Sequence, residues 1–309
     1  MIYTVTLNPA LDKTATIPSF KLDSVNRITE LRSDPGGKGI NVSKVIHELG
    51  GESVAWALLA GSTGKHIADA LRASGLTCNS FEVEGETRTN LKVVDPELDT
   101  HTDINEPGPV VTNTQLGEML SALVAQVAPG DIVVLAGSLP RGAAIDTYAT
   151  WVKACRQAGA QVFLDADGNK FAAGLTAHPT LVKPNEIELG GLLGRELKTD
   201  EQVIEGAREL VSQGIEHVMV SMGGAGALYV DAEHVVKGNP VKVPVGSTVG
   251  AGDSVVAALA YATERGMSLE DTMKLAMATG AANVMQTGTQ PAPRELVDSL
   301  IDRVVVETL

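Results

Sequence analysis

Aromatic side chains are scarce in this chain, at 3% of 309 residues. The core must therefore be built mostly from Ala, Val, Leu and Ile, within a hydrophobic content of 44%. Basic residues are also few, 24 Lys and Arg against 38 Asp and Glu, and the net charge is −14. No basic face of the kind a nucleic-acid binder carries is visible, which excludes that class. Phosphate recognition in so acidic a chain has to come from backbone dipoles and a few placed cations. Two cysteines, Cys78 and Cys155, are too few for a disulfide framework and suit a reducing compartment. The opening apolar run Met1–Leu7 stops at Asn8-Pro9, so neither a signal peptide nor a membrane span is expected. These absences predict a cytoplasmic protein with no membrane partner. The six histidines lack ligand spacing, which argues against zinc. No G-x-G-x-x-G follows the first strand, which excludes a dinucleotide-dependent oxidoreductase. Gly61–His66 has the wrong spacing for a P-loop, and Ala136–Pro140 fails as a nucleophile elbow.

What remains is a regular alternation. Ile2–Leu7, Ser53–Leu59, Ile132–Ala136, Gln161–Leu164, Thr180–Lys183, His217–Val220 and Ala227–Val230 are short apolar runs that read as strands. Helical spacing separates them, over 40–49, 116–127, 148–158 and 201–213, with two further helices near 268–285 and 293–306. Continuous apolar strands between amphipathic helices predict an α/β fold, a parallel sheet covered on both faces. Two segments differ. Thr14–Ile17 with Val25–Arg32, and Arg88–Val94 with Thr100–Ile104, alternate apolar and polar residues and read as half-exposed strands. We expect segments of about 11–34 and 86–105 to pair into one small sheet, the whole chain 1–309 forming one unit.

Ligands of open parallel sheets bind beyond the carboxyl ends of the strands. Asn8, Gly61, Gly137-Ser138, Asp165, Lys183-Pro184-Asn185 and Ser221 all follow strands, so one cleft is expected along that edge. Gly246–Ser254 leads into an apolar helix, Ser254–Ala262. Gly250, Ala251 and Gly252 would aim backbone N–H groups into one small space at a helix N-terminus, an anion hole. Asp253 beside it reads either as the helix N-cap or as a base for a substrate hydroxyl. Asn185 and Glu188 lie three apart at a helix start. They fit a hydrated Mg²⁺ site and a capping box equally well. Ser221-Met222-Gly223-Gly224-Ala225-Gly226 reads as a nucleotide-side loop or as a plain hairpin.

Two stretches, Gly36-Gly37-Lys38-Gly39-Ile40-Asn41-Val42 and Ser247–Ser254, with Asn185-Glu186-Ile187-Glu188 between them, resemble the signatures of the ribokinase-like, or PfkB, carbohydrate kinases. The resemblance runs essentially end to end. Thr6–Asp12, Arg88-Thr89-Asn90 and Gly137–Pro140 resemble the branch that acts on sugar phosphates, 1-phosphofructokinase, tagatose-6-phosphate kinase and a minor 6-phosphofructokinase. Lys38 favours the first two. The resemblance implies an α/β/α sandwich with a small β-sheet lid over the sugar, and a homodimer formed through that lid. It implies ATP and Mg²⁺, and transfer of a phosphoryl group to a ketohexose phosphate, foremost fructose 1-phosphate. Asp12 and Asn41, with the Gly37-Lys38-Gly39 backbone, would hold sugar hydroxyls. Arg27 and Arg88, with Ser138 and Lys38, would hold the substrate phosphate, as bidentate arginines do. Lys183, Asn185, Ser221, Gly223, Gly226, Thr248 and Asn283 would line the ATP site. Gly250–Gly252 would be the anion hole and Asp253 the base. Asp165–Asn169 departs from the family, which usually has Ser before that glycine, and leaves Asp167 without a role. A non-catalytic sugar-phosphate sensor on the same fold is the reading from another class, and the intact Asp253 and its glycines argue against it.

Overall fold

The computed structural model describes residues 1–286 and 288–309. The chain opens with β1 (Ile2–Thr6), then β2 (Ala10–Thr16) and β3 (Glu30–Gly36), and enters α1 (Lys38–Glu48). β4 (Ser53–Ala60), α2 (Gly61–Ala73) and β5 (Thr77–Val83) precede a return to the small sheet in β6 (Arg88–Asp95) and β7 (Thr100–Asn105). Then come α3 (Asn113–Val124), β8 (Ile132–Ala136), α4 (Thr147–Gln157), β9 (Gln161–Asp165), α5 (Gly168–Leu175) and β10 (Leu181–Val182). α6 (Glu186–Leu193), α7 (Asp200–Ser212), β11 (His217–Ser221), β12 (Ala227–Val230) and β13 (Val235–Gly238) follow. α8 (Ala251–Glu264), α9 (Leu269–Val284), α10 (Arg294–Ile301) and β14 (Val306–Thr308) close the chain.

The large sheet runs β14-β13-β12-β11-β10-β9-β8-β1-β4-β5. From β11 to β5 every neighbour is parallel, while β12, β13 and β14 add antiparallel strands at one edge. All five residues of β8 are buried, as both covered faces require. Successive side chains point to opposite faces. Tyr3 and Val5 of β1 join the core under α3, α4 and α7, while Ile2 joins the one under α1, α8 and α9. The second core is rich in small residues. Ala257, Ala258 and Ala260 of α8 share it with Ala276, Ala278 and Ala282 of α9, small side chains that let helices pack closely in a chain poor in aromatics.

The two half-exposed segments do form one small sheet, in the order β3-β2-β6-β7. Its central pair is parallel, with Ala10 opposite Arg88 and Asp12 opposite Asn90. The third strand is displaced from expectation. Val25–Thr29 is not strand, and β3 starts at Glu30 and carries Pro35, which an edge strand tolerates. Val25 is 78% exposed, so the apolar alternation there marks a loop rather than a half-buried strand. At the C-terminus the expected helix over 293–306 ends at Ile301, and the chain turns into β14.

Candidate active site

The N-termini of α1 and α8 meet at the carboxyl edge of β1, β8, β9, β10 and β11, around a cavity of about 510 Å³. α8 starts at Ala251, not at Ser254, and its N-cap is Gly250 with φ 83°. Asp253 therefore does not cap the helix. It lies in the first turn, where its carboxylate accepts from Asn41 Nδ2 at 2.8 Å. Asp253 is buried, 7% exposed, and burial pushes its carboxyl up to about 6 against the pull of Lys38. A carboxylate tuned toward neutrality, in a cavity and held by one amide, is placed to take a proton. The Ala251 N–H bonds the Thr248 carbonyl at 3.4 Å, while Gly250 and Gly252 line the cavity beside the positive end of the helix dipole, where first-turn N–H groups have no helical carbonyl to bond. A Cβ on Gly252 would lie 3.2 Å from Lys183 Nζ, so the glycine keeps that ammonium close to the helix start.

Cations gather in two places. Lys183, at the end of β10, is 5% exposed and stands 3.8 Å from Asp165 Oδ2. Lys38, the first residue of α1, bonds the other oxygen of Asp165 at 3.0 Å. Burial works against both charges in the Lys38–Asp165 pair. The neighbouring carboxylates nevertheless hold Lys38 above its ordinary range, and the two lysines hold Asp165 below its own. On the small-sheet side, Arg88 Nη2 reaches the Asn8 carbonyl at 2.9 Å and Ser138 Oγ at 3.4 Å. Next to it Asn90 Nδ2 donates to Asp12 Oδ1 at 2.9 Å, and burial raises the Asp12 carboxyl. A lysine pair on Asp165 and a single arginine, Arg88, thus line the cavity that holds the buried Asp253 carboxylate, charges able to hold phosphate groups beside it.

A family profile described as pfkB family carbohydrate kinase matches residues 5–295. The chain belongs to that family. Over 309 residues, 100% of this chain and 98% of the relative, this kinase is 40% identical to a 1-phosphofructokinase of Rhodobacter capsulatus. It is 31% identical to a tagatose-6-phosphate kinase of Staphylococcus epidermidis, across 99% of each chain. Its fold matches phosphofructokinase-2 of Escherichia coli, in a crystal with substrates and products, with a TM-score of 0.93 and 32% identity over 98% of each chain. The α/β/α sandwich with a small additional sheet is the ribokinase-like architecture.

Within this kinase the cavity brings together Asp12, Gly37, Lys38, Asn41, Arg88, Ser138, Lys183, Asn185, Glu188, Ser221, Gly250, Gly252 and Asp253. Other expected residues lie outside the lining. Arg27 is exposed in the loop between β2 and β3. Gly39 packs its helix on β1, since a Cβ there would come within 2.6 Å of Thr6 Oγ1. Gly223 sits in a short 3₁₀ turn and Gly226 at the start of the hairpin strand β12, so the hairpin reading describes that loop. Thr248 is exposed, Ala251 is the first residue of α8, and Asn283 stands behind Gly250, donating to the Gln290 carbonyl at 3.2 Å. Asn185 and Glu188 make a full capping box, each accepting the other's N–H at 2.7 and 2.9 Å, while both line the cavity. The cavity also holds Thr6, Asn8, Asn90, Asp165, Asp167 and Thr289, none of them given a role by the sequence reading. Asp165 had a signal. It is the acid that ends the apolar run Val162–Leu164 of β9 on the ligand edge.

Proposed function

We propose that this kinase phosphorylates a ketohexose phosphate with ATP, foremost fructose 1-phosphate to fructose 1,6-bisphosphate. The observation that carries the reading is Asp253, buried at the start of α8 in a cavity that also holds Lys38, Lys183 and Arg88. Arg88, Ser138 and Lys38 take the phosphate already on the sugar, and Asp12 and Asn41 take its hydroxyls. Lys183, Asn185 and Ser221 face the nucleotide. The acceptor hydroxyl lies against Asp253. Its oxygen bonds to the γ-phosphorus, the bond to the β,γ-bridging oxygen breaks, ADP leaves, and the hydroxyl proton passes to the Asp253 carboxylate. Developing charge on the phosphoryl oxygens meets the Gly250–Gly252 backbone N–H groups and Lys183. Alignment between the two phosphate sites supplies much of the remaining rate.

The donor set suits Mg²⁺, a hard cation that keeps its waters and takes few protein ligands. Glu188 would hold it in the cavity, with Asn185 fixing that carboxylate through the capping box, and when bound it neutralises phosphate charge. The small sheet acts as a lid on a single kinase unit. Arg27 stands outside its own chain's cavity, so its role in phosphate binding requires a second copy joined through the lids. Leu22, Val25 and Ile28, exposed on the same loop, support that homodimer. Free Cys78 and Cys155 support a cytoplasmic setting, and among the described residues no helix is long and apolar enough to cross a membrane.

The similarity to 1-phosphofructokinases at up to 40% identity favours fructose 1-phosphate over tagatose 6-phosphate or fructose 6-phosphate. A coupled ADP-release assay across those three and unphosphorylated fructose decides. We expect the highest kcat/KM on fructose 1-phosphate. A rate on it no better than on fructose defeats the reading, and no turnover of any sugar phosphate leaves a sensor in its place.

A further inference from the structure

The hydroxyl of Ser138 is held in one direction by its neighbours. Asn8 follows β1 and is buried, 6% exposed. Its Nδ2 donates to the Leu139 carbonyl at 3.4 Å and to Ser138 Oγ at 3.2 Å. The Leu139 carbonyl can only accept, so it fixes which end of the amide faces Ser138. Arg88 Nη2 lies 3.4 Å from the same oxygen, and a guanidinium can only donate. A serine hydroxyl has two acceptor positions and one proton. Both acceptor positions are taken. The proton is what remains, and Ser138 lines the cavity.

Asn8 also holds the arginine, since its backbone carbonyl accepts from Arg88 Nη2 at 2.9 Å. The chain around the amide is shaped to it. Gly108 has φ +79°, and a Cβ there would lie 2.5 Å from Asn8 Oδ1. That Oδ1 is buried with no hydrogen-bond partner among the described residues. An unmet buried acceptor costs stability, so the side chain is not an optimum for folding alone.

We propose that Asn8 is a positioning residue that makes the Ser138 hydroxyl an obligate donor and sets Arg88 beside it, so that the pair recognises an acceptor-only group. Phosphate oxygens only accept, whereas a sugar hydroxyl both donates and accepts and would suit a serine in either orientation. Asn8 thereby favours a phosphorylated sugar over a free one. The proposal rests on the reading that Arg88 and Ser138 bind the substrate phosphate.

A double-mutant cycle of Asn8→Ala and Ser138→Ala tests it. Ser138→Ala is expected to raise KM for fructose 1-phosphate by ~10–100-fold, the scale of a hydrogen bond to a charged group. Asn8→Ala should raise it by roughly 10-fold while KM for ATP stays within about 2-fold, and the double variant should be no worse than Ser138→Ala, because the two act as a unit. Asn8→Asp keeps the shape but draws the serine proton to itself, and should lose fructose 1-phosphate selectivity over fructose even if Asn8→Ala fails to fold. Effects of Asn8→Ala and Ser138→Ala that simply multiply, or an Asn8→Ala loss shared equally by ATP, overturn the proposal and leave the phosphate reading standing. An unchanged KM in Ser138→Ala overturns both.

Discussion

The two sheets of this kinase are built on opposite terms. Every residue of β8 is buried, whereas all six residues of β7 are exposed. The large sheet is covered on both faces and places its functional groups at strand ends and helix starts, where rigid backbone fixes them. The small sheet has an open face and contributes Asp12, Arg88 and Asn90 from its two central strands, β2 and β6. In the reading proposed above, Asp253 and Lys183 stand on the rigid half, while the sugar-phosphate contacts are divided between Lys38, Asn41 and Ser138 on that half and Asp12 and Arg88 on the small sheet. Such a division suits a reaction that must exclude water only once its substrate is seated.

The largest way to break that comparison is at the rigid side. Asp253→Asn keeps the shape and removes the proton acceptor, so kcat should fall by ~10²–10⁴-fold with KM for ATP nearly unchanged. Near-normal turnover would take Asp253 out of that role. Because burial raises its carboxyl to about 6, wild-type kcat should drop about tenfold per pH unit below that point. The same shift acts on stability. The folded group holds its proton to higher pH than the unfolded one, whose pKa is about 3.9. Its stabilising contribution is complete below about pH 4 and lost as pH rises through about 6. At pH 8 the buried charge therefore costs up to roughly 3 kcal/mol, and Asp253→Asn should melt higher than wild type. Thermal scans should show that gap closing toward pH 4. A gap independent of pH would assign it to another cause.

A second contrast compares cores. Leu135 in β8 is fully buried, and Leu135→Ala should cost about 2–5 kcal/mol in global unfolding. Ile104 in β7 is 52% exposed, and Ile104→Ala should stay within about 0.5 kcal/mol in the monomer. Equal losses in denaturant titrations would erase the distinction between the sheets.

The same distinction governed what the sequence could reveal. Double burial writes itself into a strand as an unbroken apolar run, so β1, β4, β8, β9 and β11 were legible with their ligand edge. Gly37 and Gly250 were legible because few residue types permit their positive φ, and Asp253 because it is an acid set after such a glycine at a helix start. Asn8 and Asp165 were legible as residues of the ligand edge but had no role, because one polar residue after a strand is what any loop shows. Their meaning comes from partners 130 and 127 positions away, Ser138 and Lys38. Arg88 was legible by resemblance, yet the carbonyls of Asn8 and Pro9 that hold it carry no side-chain signal at all. In the small sheet, Val25 and Ile28 stand in solvent, and their mixture with polar residues resembles a half-exposed strand, so pattern alone misplaced β3.

The smallest expected effect sharpens the contrast furthest. Asp95 ends β6 and is 1% exposed. Its carboxylate accepts the backbone N–H groups of Ser19, Phe20, Glu97 and Leu98 at 3.0, 2.6, 2.9 and 3.2 Å. It thereby ties the loop that follows β2 to the turn between β6 and β7. Burial opposes its charge, but those N–H groups hold the carboxyl below the ordinary range. Its contribution is therefore present at neutral pH and lost as pH falls through that lowered value. Asp95→Ala should free this corner of the small sheet and leave the large one intact. Amide exchange should accelerate at Phe20 and Leu98 but not at Val133 or Leu135, and KM for the sugar phosphate should rise only a few-fold. If β8 amides lose protection to the same degree, the two sheets unfold as one unit, and the looser half is loose in its surface alone.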